Sequence, residues 1–156
     1  MTTDLEALGQ AIKRAQYRNH RALDNALRDL GVSLVQWDAL RAIQRMPGAS
    51  GHELAVETFQ SDQAFGTLAS RLVDRGLITR SATRGRRLEH TLTEAGAATL
   101  EAGRRVGTRV RSELFAALDE DQRAALHRSL VALIEEPPPA RSLVSPLAAA
   151  GHPQGA

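Results

Sequence analysis

The sequence predicts a mainly α-helical fold with one two-stranded β-hairpin, and three observations predict it. Aromatic residues are only 3% of the 156 residues although hydrophobic residues reach 42%, so the core must be built from Leu, Val, Ile and Ala, which suits helix-on-helix packing. Apolar residues recur at three-four spacing through both halves of the chain, and Ser, Thr or Asp stands where most such runs begin. Between residues 77 and 92 the rhythm shortens to two.

The elements follow in order. Leu5, Leu8, Ile12, Ala15, Leu23, Ala26, Leu27 and Leu30 mark one long helix from about Asp4 to Leu30, stopped by Gly31. Ser33 with Gln36 is a capping box, in which the serine hydroxyl accepts from a free backbone N–H and the glutamine accepts from the serine's own. It opens a second helix that runs to Met46 ahead of Pro47-Gly48. Ser50 with Glu53 repeats the signature for a short third helix ending near Glu57 or Thr58, and Ser61 caps a fourth that ends at Gly76. Leu77-Ile78-Thr79-Arg80 and Leu88-Glu89-His90-Thr91-Leu92 read as strands, joined by a tip from Ser81 to Arg87 that holds Gly85 and three arginines. Thr93 caps a fifth helix with apolar positions at Ala97, Leu100, Val106, Val110, Leu114 and Leu118. Asp119 with Gln122 opens the last, through Leu126, Leu130, Leu133 and Ile134, and Pro137-Pro138-Pro139 ends it. Residues 1–136 are expected to form a single domain, and the Ala-, Pro- and Gly-rich tail 137–156 to be disordered.

Several function classes have no residues to support them. Cysteine is absent, which removes disulfides, thiol catalysis and thiol redox sensing. The first ten residues carry Asp4 and Glu6 and no apolar run, and no 18-residue apolar stretch occurs, so a cytoplasmic protein is expected. The five histidines form no HxxxH or HExxH pair, and neither GxxxxGK nor GxGxxG occurs. No enzyme activity, cofactor or metal site is expected. His90, alternating with Leu88 and Leu92, reads as a packed strand residue.

A compact three-helix unit followed by a hairpin is the winged helix-turn-helix arrangement, and the charge distribution suits it. Arg71 to Arg111 holds ten arginines against Asp74, Glu89, Glu94 and Glu101, a local balance of +6 inside a chain of net charge +2. On the fourth helix Phe65, Leu68, Ala69 and Leu72 share one stripe, while Gln63, Thr67, Ser70 and Arg71 share the other and offer hydrogen-bonding groups to base edges. Arg84, Arg86 and Arg87 on the hairpin tip suit entry into a narrow minor groove or contact with phosphate; pairing with acids of a neighbouring helix is the alternative.

Glu53-Leu54-Ala55, Ser61, Arg71 through Arg80 (RLVDRGLITR) and Leu92-Thr93-Glu94-Ala95-Gly96 together resemble the MarR family of bacterial regulators, over about residues 35 to 100. The resemblance implies a ligand-responsive repressor, less often an activator, acting as a homodimer on a pseudo-palindromic site in double-stranded DNA. Residues 33–100 would form the DNA-binding core, and 4–30 with 93–136 the dimerisation helices. It also implies DNA contacts at Ser61, the next polar positions and Arg86. Three departures stand out. Arg84 replaces the wing aspartate that braces the wing arginine, and Gly66-Thr67 replaces a common Thr-Arg pair. The turn Thr58-Phe59-Gln60 lacks the frequent leucine and glycine, so Val56 or Phe59 is expected to fill that space.

The resemblance further implies a small aromatic or anionic effector near the junction of dimerisation and DNA-binding helices. Arg14 and His20 suit a carboxylate, and Tyr17 or Trp37 a ring; equally, Trp37 suits the core and Arg14 a solvated or interface position. The competing reading is a winged-helix module that docks a protein, for which more exposed apolar surface would be expected on the wing and fourth helix. A sequence-neutral architectural DNA binder is a third. Arg86→Ala is expected to weaken operator binding at least tenfold, about 1.4 kcal/mol, without unfolding the protein; unchanged affinity in a gel-shift titration would remove the wing from the mechanism.

Overall fold

The computed structural model describes residues 2–83, 85 and 87–135. Expectations that fall on Arg84, Arg86 and the 137–156 tail lie outside the described residues. Six helices and one hairpin occur among them: α1 (Leu5–Arg28), α2 (Leu34–Arg45), α3 (Gly51–Glu57), α4 (Asp62–Asp74), β1 (Ile78–Ala82), β2 (Leu88–Leu92), α5 (Glu94–Leu114) and α6 (Glu120–Glu135). They form two compact units, one running to Ala116 and a second from Ala117 that holds α6.

Local chemistry sets each boundary. Asp4 caps α1 by accepting from the N–H groups of Glu6 and Ala7. Both capping boxes, Ser33/Gln36 and Ser50/Glu53, are fully formed, and Ser61 accepts from Ala64 N–H at 3.1 Å. Each such cap contributes about 1 kcal/mol. In the second unit Asp119 and Gln122 exchange the same pair of bonds at 2.8 and 3.0 Å. Gly31, Gly48, Gly76 and Gly85 take positive φ where the chain turns. The hairpin pairs antiparallel with Ile78 opposite Leu92 and Arg80 opposite His90. β1 starts one residue later than the sequence predicts and continues through Ser81 and Ala82, because the Thr83 amide and hydroxyl both donate to the Arg87 carbonyl and close the tip one step further out.

One core joins the first unit. Leu23 and Leu27 of α1, Trp37, Leu40 and Ile43 of α2, Leu54 and Ala55 of α3, Phe65, Ala69 and Leu72 of α4, Ile78 and Leu100 are all buried. α1 and α2 are tied directly as well: the Asp24 carboxylate accepts from the Leu34 N–H at 2.8 Å, and that bond, helped by Arg28, holds the carboxyl below its ordinary pKa.

Two local expectations are corrected. Neither Val56 nor Phe59 fills the space at the α3–α4 turn: Val56 is 62% exposed and Phe59 99% exposed. Leu54, Ala55 and Phe65 occupy the interior there, and Phe59 takes φ +55, the left-handed conformation that costs an L residue about 1–2 kcal/mol and turns its side chain outward. The turn is held regardless, by Gln60 N–H to Ala55 O at 2.8 Å and Thr58 Oγ1 to Leu54 O at 2.7 Å.

The second correction concerns α5. Its buried face is Gly96, Leu100, Gly103 and Gly107, whereas Ala97 is exposed and Val106, Val110 and Leu114 are half-buried. The glycines let other groups approach the helix axis. A Cβ at Gly96 would overlap the Leu77 carbonyl oxygen, and one at Gly103 would overlap the Trp37 indole nitrogen. That indole N–H donates to Leu100 O at 3.1 Å, its polar partner in an otherwise apolar interior. Gly103→Ala is therefore expected to destabilise the protein by about 3 kcal/mol through overpacking. Urea unfolding checks this, and a midpoint equal to wild type would show that the Trp37 seat is not tight.

Candidate nucleic-acid interface

Geometry around α4 begins with its cap. Ser61 closes the first turn, and Gln60 carries the chain into it from α3. Phe65, Ala69 and Leu72 point into the core, which leaves the opposite face to solvent. On that face Gln60, Ser61, Gln63, Ala64, Thr67, Leu68 and Arg71 line an open groove of about 450 Å³. Among the described residues, the side chains of Gln63, Thr67 and Arg71 make no hydrogen bond or ion pair with one another or with a neighbour. A row of free amide, hydroxyl and guanidinium groups on a rigid helix is suited to base edges and phosphates.

Ser61 and Ser70 have other duties. The Ser61 hydroxyl is the helix cap. The Ser70 hydroxyl donates to Gly66 O at 3.0 Å and accepts from Arg80 at 3.2 Å, so it ties α4 to β1. Arg87 is also engaged: its guanidinium meets Glu53 at 2.9 Å, the pairing with a neighbouring acid that the sequence left open. Glu53 is held below its ordinary pKa mainly by the Ser50 N–H bond, with Arg87 adding to it. The hairpin is thus clamped to α3 by Arg87 at its tip and to α4 by Arg80 of β1. Asp62, in the first turn of α4, pairs with His52 of α3 at 2.8 Å.

The motif around Thr93 joins wing to α5. Thr93 Oγ1 donates to Gly76 O at 2.6 Å and accepts from Gly96 N–H at 3.0 Å, while Thr93 N–H donates to Leu77 O. Only a glycine at 96 lets α5 start against that carbonyl.

A second hollow, about 480 Å³, lies in the first unit between α1, α2, the α3–α4 turn and α5. His20, Asp38, Arg41, Arg111, Thr58 and Phe59 are among its walls. Of the four effector candidates only His20 lines it. Trp37 is core, 3% exposed, with the Arg41 guanidinium 5.4 Å above its ring. Tyr17 is exposed and carries Arg21 against its ring and hydroxyl, and Arg14 is exposed on the same helix. Burial raises the Asp38 carboxyl above its ordinary pKa, against the pull of Arg41 and Arg111. Sequence reasoning missed Arg111, Asp38 and Phe59, because no local periodicity brings α5 and the turn to α2.

A short capped helix, a polar second helix and a clamped hairpin define a winged helix-turn-helix protein. Residues 30–87 match the model of the MarR family. The HTH-type transcriptional repressor Rv2887 of Mycobacterium tuberculosis is 33% identical over 107 residues, covering 67% of this chain and 77% of that protein. Its solved complex with p-aminosalicylic acid superposes with a TM-score of 0.69 at 30% identity, over 81% of this chain and 97% of that one. A cysteine-to-serine variant of Escherichia coli MarR complexed with operator DNA gives 0.76 at 26% identity, over 82% and 94%. The chain belongs to the MarR family.

The wing also carries a titration. His90 is buried, stacks edge-on against Phe65 at 5.7 Å and has no partner for Nδ1 among the described residues. Burial, and then Arg80, hold its pKa below the ordinary histidine value. While the imidazole is neutral in both the folded and the unfolded chain its burial carries no charge penalty; below about pH 6.5 the unfolded chain takes up the proton first and stability falls. Stability is expected to drop between about pH 6.5 and 5, before carboxylates titrate, and less steeply in His90→Leu. Parallel slopes for the two proteins in urea titrations across that range would overturn this.

Proposed function

We propose that the protein is a sequence-specific transcriptional repressor that binds double-stranded DNA as a homodimer in the cytoplasm and responds to a small aromatic acid. The observation that carries the reading is the row Gln63, Thr67 and Arg71 on a capped helix, without side-chain partners among the described residues, in a family one of whose members is solved with operator DNA. Gln63 suits an adenine edge, Arg71 a guanine edge or phosphate, and the Ser61 turn a phosphate at the helix N-terminus. Arg84 and Arg86 reach the flanking groove in this reading, whereas Arg80, Arg87 and Ser70 position the wing and α4.

Two further features support the dimer and the effector. The first half of α1 leaves Leu5, Leu8 and Ile12 exposed on one stripe, an apolar seam that a second copy would cover. The hollow containing Arg41, Arg111 and His20 offers cations to a carboxylate, and the relative Rv2887 is solved with salicylic and with p-aminosalicylic acid. An enzyme reading has no support in the arrangement of the described side chains.

Fluorescence anisotropy with DNA from upstream of the protein's own gene tests the proposal. Tight binding that unrelated DNA does not displace is expected, with a log–log salt slope of about −0.9 per neutralised phosphate. Arg71→Ala should weaken binding about tenfold or more, and Leu8→Glu should yield a monomer that binds poorly. A wild-type monomer indifferent to every duplex at low ionic strength would overturn the reading.

A further inference from the structure

We infer that Gly66 is the point at which a DNA strand passes closest to α4, in a channel between that helix and the wing. This rests on the proposed function and deepens it, by naming a residue that governs how the duplex docks. Glycine is the poorest helix former after proline, and no neighbour among the described residues requires one at 66. Its backbone is ordinary helix, and a Cβ there would meet no atom of the described residues within 4 Å. The α5 glycines differ, because Leu77, Trp37 and Arg111 press against them. Gly9 of α1 is equally open, but it stands beside the exposed apolar stripe that a second copy would cover. For Gly66, what remains is an approach from outside the chain.

The surroundings select what approaches. Gly66 is exposed, about one turn beyond Gln63, on the flank of α4 nearest β1, where Arg80 Nη2 lies 3.5 Å from its carbonyl oxygen. It borders an open hollow of about 380 Å³ whose other walls include Ser50, His52, Asp62, Arg80 and Arg87. Asp62 is paired with His52, and Arg87 with Glu53, so Arg80 is the cation there without an acid partner among the described residues. With α4 in the major groove and the wing in the adjacent minor groove, the strand that separates those grooves must run between them. That strand is a polyanion, which suits the excess positive charge. A side chain at 66 would stand in its path, whereas glycine leaves the helix backbone bare. The helix thus gives up stability for closer approach, and the Arg80–Ser70 bond behind Gly66 holds α4 and β1 at a fixed separation.

The test uses the full chain and DNA from upstream of its own gene, with anisotropy for binding and urea unfolding for stability. Gly66→Ala and Gly66→Leu should unfold at higher urea than wild type, since both are better helix formers placed in open space. Both should bind the duplex more weakly, roughly threefold or more for alanine and tenfold or more for leucine. Single-nucleotide gaps scanned along the duplex should include one, in the strand between the two grooves, that returns the leucine variant to near wild-type affinity on the same gapped DNA. If wild type binds no duplex at low ionic strength, the DNA reading fails and this inference with it. If wild type binds and both variants bind within about twofold of it, the role of Gly66 is overturned. A loss that no gap relieves places Gly66 against a base edge and overturns the strand assignment. Unfolding of Gly66→Ala at lower urea than wild type also overturns it, because the fold itself would then need the glycine.

Discussion

The seat of Trp37 in α5 is the constraint on which the rest depends. A buried indole must bond its N–H, and here the Leu100 carbonyl accepts it. The bond forms because Gly103 removes the side chain that would stand between the two helices. α2 is thereby held against α5 while its other residues, Leu40 and Ile43, belong to the same core as Phe65 and Leu72 of α4. The helix that packs the reading head and the helix that leads away from it consequently behave as one body.

The wing extends that rigid body by polar means. Thr93 and Gly96 fasten the end of β2 to Gly76 and Leu77, and Arg80 and Arg87 brace the hairpin against α4 and α3. The positive segment is therefore divided in its work. Some guanidiniums hold the wing in place, exposed pairs of modest strength whose value lies in orientation. Among the described residues Arg71 makes no such bond, which leaves it available to an anion. A count of arginines along the chain does not distinguish these roles, because the distinction is made by Glu53 on α3 and Ser70 on α4.

Much of the reading surface was legible from local signals. Serine and glutamine or glutamate three residues apart mark helix starts by satisfying free N–H groups, and two such boxes lead directly to α2 and α3, as the lone serine cap Ser61 leads to α4. Amphipathic spacing then separates Phe65, Ala69 and Leu72 from Gln63, Thr67 and Arg71. Effector candidates were less legible. Trp37 and Tyr17 suggested ring contacts by residue type alone, yet Trp37 is enclosed by the core and Tyr17 is turned toward Arg21. The turn at Phe59 was misread for a related reason: apolar character predicts burial, but a left-handed backbone at that residue directs the ring outward.

The sequence by itself determined the element order, the caps, the turn glycines and the polar face of α4, since each depends on residues within a few positions of one another. Tertiary structure alone decided that glycines would form the buried face of α5, because their value appears only when Trp37 and Leu77 press against them. It also decided the cavity, which gathers His20, Arg41, Phe59 and Arg111 from four separate segments. The physical reason is range: capping and periodicity act along the chain, whereas close approach and charge convergence arise only where distant segments meet.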